Sequence, residues 1–241
     1  MDASWTLKSL SSFLDSTLAS RAHFGVLVPW ANYAIESELP YIMPQNVTWH
    51  FARLVPATNS TELDQSFLQA MVDATRDSVF SLSKLNLSGI AFGCTSAGFS
   101  YPGQLSRMFG TANEETPVLT AFEAIVDVLA YVGAARITLI TPYEEWLTEI
   151  EVAAFAKAGI DIATCKSLGY KDRIDSITAD EIVRAYQGCR NSKPDAVVLS
   201  CTAMHTLEAI YQIENATSIP VISSNTAMCI GLALKYLDRR P

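Results

Sequence analysis

The sequence predicts an α/β fold of two pseudo-symmetric halves, each a mainly parallel sheet flanked by helices, with a shared cleft between them. Three observations carry that expectation. Short apolar runs rich in β-branched residues alternate with helical patterns along the chain, the spacing that right-handed βαβ crossovers produce. Two of these runs, GIAFGCTS (89–96) and AVVLSCTAM (196–204), close alike, on Cys94-Thr95 and Cys201-Thr202. The order of landmarks also repeats. A strand closed by Pro29-Trp30 is followed by Cys94-Thr95 and Pro117-Val118-Leu119-Thr120; one closed by Pro142-Tyr143 is followed by Cys201-Thr202 and Pro220-Val221-Ile222-Ser223. The Pro-to-Cys spacings are 65 and 59 residues and the Cys-to-Pro spacings 23 and 19.

Taken in order, residues 1–23 are polar and weakly amphipathic, an N-terminal arm or short helix packed on the domain. FGVLVP (24–29) reads as a buried strand, Tyr33 to about Tyr41 as helix, and VTWHFARLV (47–55) as a second strand. Thr61 to Lys84 carries the longest helical pattern, with Leu63, Phe67, Leu68, Met71, Val72, Val79 and Leu82 on one stripe. Ser60 or Thr61 would cap it, with Glu62 and Asp64 in its first turn. After the strand at 89–96, the Gly, Ser and Pro of SAGFSYPGQL predict a loop. TPVLT (116–120) leads a helix over 121–132, RITLIT (136–141) is a strand, 144–157 a helix, 160–165 a strand and 169–177 a loop. Ser176 or Thr178 begins a helix reaching about Cys189; strand 196–202, helix 204–214, strand 219–223 and helix 226–237 complete the chain. A boundary after residue 118 gives halves 24–118 and 119–241, with the terminal helix free to pack back on the first.

Composition narrows the function. The 241 residues are 49% apolar and 17% charged, enough for a sizeable core. A net charge of −8 provides no basic face for nucleic acid. No run approaches the ~18 apolar residues of a membrane helix, and the start lacks a basic segment followed by an apolar one, so neither membrane insertion nor secretion is expected. Five cysteines without CxxC or Cys/His spacing indicate neither disulfides nor a metal site. Cys165, Cys189 and Cys229 read as small buried hydrophobes of a reduced, cytoplasmic protein.

Cys94 and Cys201 read differently. In open α/β sheets ligands sit at the carboxyl ends of the strands, where both lie. Facing halves would set the two thiols on opposite sides of one ligand. A free thiol has a pKa of about 8.5, and backbone N–H groups at the turn after each cysteine favour its anion. A thiolate opposite a thiol is a base and acid pair. It can move a proton from one face of a carbon to the other, or add to a double bond and protonate the neighbouring carbon, with no metal or organic cofactor. Taken singly, each cysteine fits a core position equally well; the pairing favours chemistry. With few basic residues near these landmarks, the carboxylate of a small mono- or dicarboxylate substrate must be held by neutral donors. Asn32 (equally a turn residue) offers an amide, and Tyr143 occupies the matching place in the second half. Thr95, Ser96 and Thr202 supply hydroxyl and amide donors of oxyanion type. Ser223, Ser224 and Thr226 read as a helix cap, and His205 as a helix-surface residue.

These residues resemble the aspartate/glutamate racemase superfamily. Within it, LVPWANYAIESELP (27–40), ITPYEEWLTE (140–149), GIDI (159–162) and AVVLSCTAM (196–204) are similar to segments of the maleate cis-trans isomerases, over about residues 24–230. The resemblance implies Cys94 as the nucleophile adding to the cis double bond, Cys201 as proton donor and acceptor, Asn32 and Tyr143 as carboxylate holders, and a homodimer, common among such proteins. Two-base amino-acid or hydantoin racemases share both cysteines. The arylmalonate decarboxylases share the second and have a small residue at the first, so Cys94 argues against decarboxylation. A non-catalytic carboxylate-binding protein is a further alternative. Two departures stand out: Arg173, in GYKDRIDSI (169–177), stands where the isomerases carry an amide, and GCTSAGFSYPG is richer in hydroxyls and glycine than a maleate site requires. Arg173 could bind a second carboxylate through a charged bidentate contact.

Overall fold

The computed structural model describes residues 7–18, 21–57, 61–110 and 116–237. Two parallel four-stranded sheets with the same strand order form its centre. The first is β2-β1-β3-β4, made of β1 (Ala22–Pro29), β2 (Val47–Leu54), β3 (Gly89–Phe92) and β4 (Val118–Thr120). The second is β6-β5-β7-β8, made of β5 (Arg136–Thr141), β6 (Asp161–Ser167), β7 (Ala196–Leu199) and β8 (Val221–Ser223). The landmark repeat therefore corresponds to a repeat of topology.

Strand residues alternate between two apolar cores. Val26, Val28, Ala91, Leu139 and Val198 join one cluster, and Leu27, Phe92, Ile140, Val197 and Leu199 join the other. The period of two is that of a pleated strand whose faces are both covered. Each cluster takes side chains from both sheets, so neither half has a core of its own.

Helices fill the connections: α1 (Leu7–Thr17), α2 (Ala34–Ile42), α3 (Gln65–Asp73), α4 (Thr75–Leu82), α5 (Thr95–Ser100) and α6 (Pro102–Gly110), then α7 (Ala121–Val132), α8 (Glu145–Lys157), α9 (Ala179–Cys189), α10 (Leu207–Thr217) and α11 (Ser224–Leu237). Helix α7 is fixed at its start by a reciprocal pair of bonds between Thr120 and Glu123. The terminal helix α11 packs against α7 and also reaches α2 and β3 of the first half. Gly231 permits that approach, since a Cβ there would lie 3.0 Å from Leu119 and 3.3 Å from Ala124.

Several element boundaries differ from expectation. The long helix over 61–84 divides at Ala74 into α3 and α4. The Thr75 and Ser78 hydroxyls bond back to the carbonyls of Met71 and Ala74, the kind of local competition that bends a helix. Its cap is Asp64, which accepts the Phe67 N–H at 2.8 Å, rather than Thr61; Ser60 lies outside the described residues. SAGFSYPGQL is helical, as α5 and the start of α6. Pro102 occupies the first position of α6, where proline costs nothing. Strands β3 and β7 stop before their cysteines, and α10 begins at Leu207 rather than 204.

Candidate active site

Each cysteine follows its strand by two residues, in the same way. Gly93 N–H continues the ladder of β3 to the Leu27 carbonyl at 2.8 Å, and Ser200 N–H continues that of β7 to the Ile140 carbonyl at 2.9 Å. Gly93 is required: a Cβ there would sit 2.8 Å from the Leu27 oxygen and 2.7 Å from Ile35. Cys94 and Cys201 then turn into one cavity of about 280 Å³ between the sheets, lined also by Asn32, Thr95, Ser96, Arg173 and Thr202. Of the eight expected site residues, seven line this cavity. Tyr143 is fully buried, is absent from the cavity wall, and lies beside Cys201.

Bonds across the cleft set the positions of the two thiols. The Thr202 hydroxyl donates to the Gly93 carbonyl at 2.8 Å, and the Asn32 amide donates to the Thr202 hydroxyl at 3.1 Å. From the other side, the Thr95 hydroxyl donates to Ser224 at 3.0 Å. The residue after each cysteine thus anchors in the opposite half. In this structure the hydroxyl protons of Thr95 and Thr202 are engaged within the protein. Asn32 keeps a second amide hydrogen, while its oxygen accepts the Ile35 N–H at 3.3 Å.

Burial governs the thiols. Both are raised above the ordinary thiol value, Cys201 to about 12, because burial disfavours the thiolate. Burial thus works against the turn amides and favours the neutral thiol at both positions. The two are nonetheless unequal. Cys94 is offset by the N–H groups of Ala97 and Ser96 and by the Ser96 hydroxyl, 3.6 Å from its sulfur. Cys201 is offset by the Ala203 N–H, at 3.4 Å, and by Tyr143, but is raised further by Cys94 and Glu151. Tyr143 is itself held well above its usual value, first by burial. Its hydroxyl lies close enough to Cys201 for each group to bear on the other's ionisation.

Several functional neighbours carried no sequence signal. Glu38 crosses from α2 to accept the N–H groups of Thr206 and Leu207 at 2.5 and 3.1 Å, the Thr206 hydroxyl at 3.0 Å and the Asn225 amide at 2.7 Å. It thereby fixes the start of α10 and the loop behind Cys201. Arg53, on β2, clamps the turn carrying Asn32 by donating to the Pro29, Trp30 and Asn32 carbonyls. Glu151, wholly buried on α8, accepts from Ser200 and is raised to about 8 by burial. Nothing in a single sequence marks these as partners. Ser223 caps α11 by accepting the Thr226 N–H at 3.2 Å, as expected. His205 lies in the loop before α10, half-buried, its ring 5.4 Å from that of Tyr33. All five cysteines are free; Cys189 and Cys229 are buried, and Cys165 is only half-buried. Among the described residues no group of three or more His, Cys, Asp or Glu could hold a metal ion, and no helix is long and apolar enough to cross a membrane.

The chain resembles known proteins in sequence and in fold. Residues 24–238 match the family model of the arylmalonate decarboxylases. The maleate isomerase of Pseudomonas putida is 26% identical over 90% of this chain and 92% of its own length. The arylmalonate decarboxylase of Bordetella bronchiseptica is 28% identical over 66% of this chain and 69% of its own. Among solved structures, a cysteine-to-serine variant of the Nocardia farcinica maleate cis-trans isomerase, carrying a covalently bound succinylcysteine intermediate, superposes with a TM-score of 0.79. It is 23% identical, covering 90% of this chain and 93% of that one.

Proposed function

This chain belongs to the arylmalonate decarboxylase family, and within it we propose a cofactor-independent cis-trans isomerase of a small unsaturated acid, of the maleate-to-fumarate type. The observation that carries this reading is the pair of buried cysteines lining one cavity. The relatives named maleate isomerase support it.

In the proposed reaction Cys94 acts as a thiolate. Its sulfur lone pair forms a C–S bond to one alkene carbon, and the π pair moves to the other carbon, which takes the proton of the Cys201 thiol. The former double bond is then single and rotates. The Cys201 thiolate removes a proton from the same carbon, the π bond re-forms, and the C–S bond breaks to return the Cys94 thiolate. Protons and electrons balance, so no metal or organic cofactor is needed. A Cys201 proton held to about 12 remains available at neutral pH, whereas Cys94, offset by three local donors, is the easier thiol to ionise. Asn32 and the backbone N–H groups after each cysteine hold the substrate carboxylate as charge develops. Thr95, Ser96 and Thr202 place those groups, Tyr143 supports Cys201 from behind, and Arg173 guards the outer end. We take the two halves, 24–118 and 119–241, as the units that meet at this cleft, in a cytoplasmic homodimer.

Proton NMR of maleate with the enzyme in deuterium oxide tests the reading. Fumarate should appear, and Cys94→Ala should lower turnover by at least about 10³-fold while the fold is retained. Retained isomerisation in that variant would sink the covalent mechanism. Exchange of an amino-acid α-proton instead would identify a two-base racemase.

A further inference from the structure

The cavity changes character from its buried end to its exposed end. At the cysteines it offers neutral donors alone, Asn32 and backbone amides. Its walls are apolar, formed by Pro29, Ala31, Leu63, Phe67 and Ile174. At the exposed end Arg173 is the one cation among the described lining residues, and Asp172 and Asp175 lie beside it in the chain. Arg173 Nε is 3.9 Å from one oxygen of Asp175, and the Tyr33 hydroxyl donates to the other at 3.1 Å. Lys171, the next cation of this loop, pairs with Glu144 at 3.6 Å. The rim therefore carries one more negative than positive charge, and its arginine already has a resident carboxylate in Asp175.

Two consequences follow for a ligand whose carboxylate is held at the buried end. A second carboxylate at the rim meets Asp172 and Asp175, and like charges disfavour its arrival. The cavity, about 280 Å³, also approaches the ~300 Å³ at which pockets for drug-sized ligands begin. A four-carbon diacid leaves much of that space, and the apolar walls, uncovered.

Resting on the isomerase reading above, we propose that the preferred substrate is a cis-2-enoate with a single carboxylate, whose far end is a neutral acyl group, ketone or amide, bearing an apolar substituent. The carboxylate sits at the buried end. The neutral carbonyl keeps the double bond electron-poor enough for thiolate addition, and its substituent lies between Leu63, Phe67 and Ile174. The bond changes are those of the diacid: the C–S bond formed at Cys94 breaks again, and Cys201 recovers the proton it gave.

The test compares kcat/KM for maleate, N-butylmaleamate and cis-4-oxo-4-phenylbut-2-enoate, read from the vinyl protons, with Cys94→Ala as the background. The two acyl compounds should exceed maleate by at least about tenfold. In Asp172→Asn/Asp175→Asn that preference should narrow severalfold, because the rim no longer repels a second carboxylate. Maleate turned over faster than both acyl compounds overturns this inference and leaves the isomerase reading standing. Turnover of none of the three, or equal rates in Cys94→Ala, overturns the isomerase reading itself.

Discussion

At the scale of single residues, three buried titratable groups set the behaviour with pH. Cys94 must lose its proton to attack and Cys201 must keep its own. With both thiols raised by burial, kcat/KM should climb as pH passes through the neutral range toward Cys94 ionisation, and fall only as Cys201 deprotonates near 12. A pH–rate profile measures both limbs; a flat profile between pH 6 and about 9 would contradict the thiol assignment. Glu151 acts on stability rather than rate. Its folded value of about 8 lies above the ordinary 4.5, so between those values the folded protein holds a proton that the unfolded chain has released. Stability therefore falls as pH rises across that window, by about 1.4 kcal/mol per unit from this group alone. Glu151→Gln, which resembles the protonated acid, should flatten that slope and raise the melting temperature at pH 9 more than at pH 5. The cysteines could be read in the sequence because they recur in register. Glu151 could not, because its burial and its bond from Ser200 depend on how α8 packs against the second sheet.

At the scale of elements, the site depends on how helices and turns end. Removing the Glu38 carboxylate orphans two backbone N–H groups, a hydroxyl and an amide, all buried or partly buried around the start of α10. Glu38→Ala should destabilise by about 2–4 kcal/mol in urea unfolding and lower kcat through the loop that carries Cys201. Gly93→Ala should cost about 2–3 kcal/mol, since the added methyl meets the Leu27 carbonyl and Ile35. Periodicity located nearly all the elements, because each buries one stripe or one alternating face. It failed at 61–84 and at 96–105 for different reasons. In the first, serine and threonine hydroxyls break a continuous stripe. In the second, residues with poor helix propensity are held helical by burial, Ser96 and Phe99 being almost wholly enclosed.

At the scale of the molecule, the two sheets share both hydrophobic clusters. Unfolding should accordingly be one cooperative transition, with far-UV circular dichroism and tryptophan fluorescence giving the same midpoint in urea. Separate midpoints would mean that each half is stable alone. The internal repeat made the paired architecture legible, since two strands ending in Cys-Thr at matching spacings need a common cause. The bonds that cross between the halves were not legible. They join Thr202 to Gly93 and Thr95 to Ser224, and no local pattern marks such partners.

Helix α11 bears on how the cleft is held shut. It carries Ser224, the partner of Thr95, and Asn225, whose amide holds Glu38 and the Thr202 carbonyl. A chain truncated after β8 should keep its strands and both thiols but lose the groups that brace the cleft, and its thiols should react faster with alkylating reagents than those of the whole chain. Helix α11 is thus the element that closes the site.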